Sequence, residues 1–194
     1  MRPVLLWDVM GTLVHDPFFV EMPAFFGMSF QDMLAAKHPG AWVEFEVDQR
    51  SQDSFLQDFF EDRRVFDHAD FINTIQSSYR WLEGMEALLS ELRDRECTMH
   101  AFSNYPRWYK LIENKLSLSR YLDWTFVSCL TGIRKPDAAA YARVLETLGV
   151  APGDCVFVDD RTQNCDAAKE TGMHAIVFQD AVRTRASLHD VGVL

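Results

Sequence analysis

Val4-Leu5-Leu6-Trp7-Asp8-Val9-Met10-Gly11-Thr12 sets four consecutive apolar residues directly against an aspartate, with a glycine and a hydroxyl residue close behind. A run this short and this apolar reads as a strand covered on both faces, since helices of globular proteins typically need about ten residues or more. The polar residues after it fall where the chain leaves a sheet. Open α/β sheets bind ligands outside the carboxyl ends of their strands, so Asp8 is the first candidate for chemistry.

The same pattern recurs at 98–102, 156–158 and 175–178, with a weaker fifth run at 124–129. Helical patterns separate these runs, at 85–93, 107–116, 138–148 and 164–171. Pro136-Asp137 supplies a helix-start signal, and Gly149 and Gly172 stand where C-terminal caps belong. Strand and helix alternate, which predicts an α/β fold, a three-layer Rossmann-like parallel sheet with helices on both faces. Residues 15–80 break the rhythm with a helical, aromatic-rich pattern and no convincing strand. They are expected to form an inserted small helical cap with turns at Gly27, Pro39-Gly40 and 61–64. The expected division is a core of 1–14 and 81–194 and a cap of 15–80.

Composition narrows the function. In 194 residues, 48% hydrophobic content with 15 Phe and 5 Trp calls for a packed core. A net charge of -10 argues against the basic surface that nucleic acid requires. Cys97, Cys129, Cys155 and Cys165 form no C-x-x-C pair, so buried thiols are expected rather than a zinc site or disulfides. No apolar run reaches membrane-spanning length, and Met1-Arg2-Pro3 enters the first strand without a secretory apolar region. A soluble intracellular protein is expected, in the cytoplasm or a plastid stroma.

Three of the apolar runs end in groups that belong together: Asp8, then Ser103-Asn104, then Asp159-Asp160. Singly, each reads as an ordinary turn or cap residue. With Lys135 they make an electrostatic set. Clustered carboxylates need a cation, and oxygen-only donors with room for water suit Mg²⁺. Lys135 adds a fixed positive charge. Metal, lysine and the Ser103 hydroxyl would hold a phosphoryl group while it passes to a carboxylate.

Asp8-Val9-Met10-Gly11-Thr12, Ser103-Asn104, Lys135-Pro136-Asp137 and Val158-Asp159-Asp160 resemble, in order and over nearly the whole chain, the four motifs of the haloacid dehalogenase-like superfamily. The resemblance implies Mg²⁺-dependent hydrolysis of a small-molecule phosphate monoester through an aspartyl-phosphate on Asp8. Ser103 would bind phosphoryl oxygens, with Asn104 beside it, and Lys135 would neutralise the nucleophile and the phosphoryl charge. Thr12 would stabilise the first motif's turn. The metal would be held by Asp8, the Met10 carbonyl and Asp160, with Asp159 as a ligand or a support. Asn164 falls where the superfamily often orients the lysine or the metal's waters, and it reads equally well as a helix cap. Thr12, Asn104 and Asn164 complete the expected substrate-binding set.

Met10 departs from the pattern. Superfamily phosphatases usually carry Asp there as the general acid and base, and a thioether transfers no protons. Three readings compete: a phosphatase whose protons are moved by water or another side chain, a degenerate binding or regulatory member, and a 2-haloacid dehalogenase. His15 is the nearest imidazole for the proton task.

An insertion after the first motif resembles the subfamily with a small helical cap. Its rings, Phe18, Phe19, Phe25, Phe26, Phe30, Trp42 and Phe45, offer faces to a planar substrate or simply pack together. Pro23-Ala24-Phe25-Phe26-Gly27-Met28, Lys37-His38-Pro39 with Trp42, and Phe102-Ser103-Asn104-Tyr105-Pro106 resemble the plant flavin mononucleotide hydrolases, which are similar also in carrying Met two positions after the nucleophile. That kinship implies hydrolysis of FMN to riboflavin and phosphate.

Overall fold

The structure is a computed structural model that describes residues 3–194. Met1 and Arg2, on which the reading of the amino terminus partly rests, lie outside the described residues. Five parallel strands form one sheet among the described residues: β1 (Val4–Trp7), β2 (Met99–Ser103), β3 (Asp123–Val127), β4 (Cys155–Asp159) and β5 (His174–Val177), in the order β3-β2-β1-β4-β5. β1 lies at the centre, with Trp7 level with Ala101 of β2 and with Val158 of β4. That register brings Asp8, Ser103 and Asp159 to one edge.

Leu5, Leu6 and Trp7 are all fully buried, as a central parallel strand demands. Their side chains alternate between two cores. Leu5 and Trp7 enter the larger cluster, and Leu6 joins Phe157, Tyr141 and Val144 on the opposite face. The core helices are α6 (Met85–Asp94), α7 (Tyr109–Leu116), α8 (Ser128–Thr131), α9 (Ala138–Leu148), α10 (Thr162–Glu170) and α11 (Ala181–Asp190).

Two expectations need correcting. The apolar run 124–129 is a strand only to Val127, because Ser128 turns the chain into α8. Its hydroxyl donates to the Glu46 carbonyl at 2.5 Å and accepts from the Tyr105 N–H at 2.9 Å, contacts made by distant segments. Asn164 is not a helix cap, since α10 begins at Thr162 with Arg161 in the cap position.

Between β1 and α6 the chain forms five short helices, α1 (Glu21–Phe25), α2 (Phe30–Ala36), α3 (Ala41–Glu46), α4 (Gln52–Gln57) and α5 (His68–Ser78). The segment leaves and returns at one place, where the His15 N–H donates to the Arg80 carbonyl and the Leu82 N–H to the Leu13 carbonyl, both at 2.9 Å. Helices this short gain little from propensity and are held by packing. Phe26 meets Phe59, Phe60, Phe66 and Phe71 at centroid distances of 4.7–5.2 Å, in edge-to-face and tilted arrangements. Phe45 stacks on Phe55 and reaches Trp108 beyond β2, so the inserted helices share one apolar core with the sheet. No helix among the described residues is long and apolar enough to cross a membrane.

Candidate active site

Lys135 is the hub of the strand-end edge. Its side chain is 1% exposed, and Nζ donates to Asp8 Oδ1 at 2.9 Å, to Asp159 Oδ2 at 2.6 Å and to the Phe102 carbonyl at 2.6 Å. All three ammonium protons therefore have acceptors, the condition for burying a lysine charged. Burial works against that charge, but Asp8 and Asp159 outweigh it and hold the pKa above the ordinary lysine value. One buried cation serves two buried carboxylates, which leaves local negative charge in excess.

That excess appears on Asp8. Burial pushes its pKa up to about 7 against the pull of Lys135, and Asp159 and Asp160 add to the rise. Asp160 is also raised, by burial first and then by Asp159. Oxygens of Asp8, Asp159 and Asp160 all lie within 4.8 Å of one another. A hard divalent cation fits this set: the donors are carboxylate oxygens, and a cation relieves the repulsion that raises Asp8.

The neighbouring polar residues are spent on holding the charged ones. Thr12 donates to Asp8 Oδ2 at 3.3 Å and accepts from the Asp160 N–H at 3.1 Å, bridging the first and last motifs. Asn164 donates to both oxygens of Asp159, at 3.1 and 2.9 Å. Asn104 is tied to the backbone of Lys135 in both directions. Gly11 has φ +79°, and a Cβ there would sit 2.8 Å from Asp160 Oδ2, so only glycine lets the Asp8 loop approach Asp160. The Ser103 hydroxyl differs from all of these. It is buried at the end of β2 and has no hydrogen-bond partner among the described residues, an exception to the usual pairing of buried polar groups.

Above this edge lies a cleft of roughly 300 Å³, lined by Asp8, Met10 and Lys135 from the core and by Phe18, Phe19 and Trp42 from the inserted segment. Of the seven rings singled out in the sequence, these three line it. Phe25, Phe26 and Phe45 pack into the apolar core, and Phe30 sits against Phe18 and Phe19. His15 is not among the lining residues, and its Nε2 contacts the Glu21 carboxylate at 2.8 Å.

Four charged lining residues escaped the sequence reading: Asp16, Glu46, Arg134 and Arg161. Asp16 comes directly after His15 and resembles a turn residue before proline. Glu46 ends a helix dominated by apolar residues, yet it is 2% exposed and paired with Arg134, the residue before Lys135. Burial raises the Glu46 pKa, and Arg134 opposes the rise. Glu44 and Asp48 flank Glu46 two positions away in an apolar–acidic alternation, so the local sequence carried no signal that this carboxylate is the buried one.

An aspartate-bearing loop after the central strand, a lysine shared between two carboxylates and a third carboxylate beside them stand together at one edge of a parallel sheet. The family model for haloacid dehalogenase-like hydrolases matches residues 3–172, and the chain belongs to that family. It is 46% identical over 191 residues to flavin mononucleotide hydrolase 1, chloroplastic, of Arabidopsis thaliana, a match covering 98% of this chain and 78% of that protein. It is 30% identical over 109 residues to a sesquiterpene phosphatase of Aspergillus oryzae, covering 55% of each. Among solved structures, a haloacid dehalogenase family enzyme of Bacteroides thetaiotaomicron, in complex with magnesium and inorganic phosphate, shares the fold. Its TM-score is 0.77 at 19% identity, with 93% of this chain and 96% of that one covered.

Proposed function

We propose that the chain is a Mg²⁺-dependent phosphate monoester hydrolase in which Asp8 is the nucleophile and flavin mononucleotide the substrate. The observation that carries the reaction class is the sharing of Lys135 between Asp8 and Asp159, with the unpartnered Ser103 hydroxyl beside them. Asp8, Asp160 and the Met10 carbonyl would hold the metal, with Asp159 as ligand or support, and the ion would supply charge neutralisation at the phosphoryl oxygens. Lys135 keeps Asp8 oriented and offsets phosphoryl charge, and Ser103 donates to a phosphoryl oxygen. Thr12, Asn104 and Asn164 act by fixing these groups.

The substrate reading is supported by the identity to the Arabidopsis enzyme and by the apolar walls Phe18, Phe19 and Trp42, which suit a planar ring system. Residues 15–80 are read as a cap that selects the leaving group and limits water. A plastid stroma is the proposed compartment, supported by the chloroplastic designation of that relative. The test is phosphate release from FMN with Mg²⁺, with Asp8→Asn as control. Release by the wild type alone supports the reading, and equal release by both removes it.

Met10 favours one second reading, dehalogenation by the same Asp8, because the non-acidic residue matches the dehalogenase pattern. Halide release from a 2-haloacid in the presence of a chelator would support it. The acidic pair Asp159-Asp160, suited to a metal, argues against it.

A further inference from the structure

The aspartyl-phosphate route needs a proton delivered to the leaving oxygen and later removed from water, and Met10 does neither. We propose that Asp16 moves both protons. The inference rests on the phosphohydrolase reading and adds a residue to it.

Asp16 lines the cleft that Asp8, Met10 and Lys135 open into. It stands outside the carboxylate cluster, so it is free of the metal-binding role that occupies Asp159 and Asp160. Its neighbours fix its backbone: Pro17 is buried, and Asp16 Oδ1 accepts the Phe18 N–H at 2.9 Å. That bond leaves the second carboxylate oxygen without a partner among the described residues. In sequence the residue stands where the chain passes from the Asp8 loop into the inserted helices, and it shares the cleft lining with Phe18 and Phe19.

The surroundings suit the task. Burial raises the Asp16 pKa above the ordinary carboxyl value, while the Phe18 N–H, His15 and Arg161 restrain the rise. The charged and titratable groups facing it are His15 beside it, Glu21 of α1, Arg161 at the start of α10, and Tyr79 and Tyr105, whose hydroxyls bond each other at 2.8 Å. Burial holds Tyr79 and Tyr105 as neutral phenols, and His15 and Glu21 pair with each other and are not among the lining residues, leaving Asp16 as the group that cycles.

In the first step an Asp8 oxygen bonds phosphorus, the bond from phosphorus to the ester oxygen breaks, and that oxygen takes the Asp16 proton to leave as an alcohol. In the second, the Asp16 carboxylate takes a proton from water, the water oxygen bonds phosphorus, and the Asp8–phosphorus bond breaks. Inorganic phosphate forms, and Asp16 is again protonated.

The experiment compares wild type, Asp16→Asn and Asp16→Ser on an alkyl phosphate, flavin mononucleotide, and on an aryl phosphate, p-nitrophenyl phosphate, with Mg²⁺. Both variants keep an oxygen to accept the Phe18 N–H. On the alkyl ester kcat is expected to fall about 10²–10⁴-fold. The aryl ester has a leaving group that needs no proton, so it should give a stoichiometric burst of nitrophenolate and then slow turnover as the phosphorylated enzyme accumulates. Folded variants that turn over the alkyl ester at the wild-type rate, or that slow both esters equally without a burst, overturn the assignment. A wild type that releases no phosphate from either ester fails the underlying phosphohydrolase reading instead.

Discussion

Asn104 and Lys135, 31 positions apart, exchange two hydrogen bonds: Asn104 Nδ2 donates to the Lys135 carbonyl at 2.7 Å, and the Lys135 N–H donates to Asn104 Oδ1 at 2.8 Å. The amide thus clamps the backbone of the residue whose ammonium bridges Asp8 and Asp159. Asn104→Leu breaks both bonds while keeping a side chain of similar length. It should cost about 1–3 kcal/mol in chemical denaturation. With the lysine displaced, kcat should fall by about 100-fold while the protein still folds. Full activity in the folded variant would mean that the ammonium finds its place without the clamp.

The raised pKa of Asp8 has a thermodynamic counterpart. Its value is about 7 in the folded, metal-free chain against 3.8 as the reference, so the folded state binds the extra proton between those limits. Stability is therefore lost as pH rises through that window, because the unfolded chain ionises Asp8 without cost. Asp8→Asn should raise the melting temperature of metal-free protein at pH 8, with the advantage shrinking toward pH 4. Mg²⁺ should stabilise the wild type more than the variant. A variant less stable than wild type at pH 8 would show that the Lys135 pairing outweighs burial.

Most of the sheet was legible because β1 and β4 are apolar on both faces, and such runs, bounded by Asp8 and Asp159, admit few other readings. The site's charged floor was legible for the same reason, since polar residues at parallel strand ends converge. What escaped depends on contacts between distant segments. Ser128 ends β3 through bonds to Glu46 and Tyr105, which no local pattern encodes. Glu46 became a buried lining residue only through Arg134. Asp16 and His15 are neighbours, and the fold alone decides that Asp16 lines the cleft while His15 meets Glu21.

Ser103 separates function from stability. Its hydroxyl is buried without a partner, so Ser103→Ala removes an unsatisfied polar group and should leave stability unchanged or raise it by about 1 kcal/mol. On the proposed mechanism the same variant loses a donor to a phosphoryl oxygen, and kcat/KM on a phosphate ester should drop about 10²–10³-fold. Thermal denaturation beside steady-state kinetics reads both. Destabilisation together with undiminished activity would mark the hydroxyl as structural.

The four cysteines are buried and free, and their acidity bears on their chemistry. Burial pushes Cys129 and Cys155 up to about 11 and Cys165 up to about 12. The reacting species is the thiolate, so these three thiols are protected twice at pH 8, by lack of access and by lack of charge. Cys97 is protected by access. With Ellman's reagent at pH 8 the native chain should show no fast-reacting thiol, and all four should react once guanidinium unfolds it. Fast labelling of Cys129 in the native state would point to opening where α3 meets α8, since Ser128 beside it ties that contact to the Glu46 carbonyl.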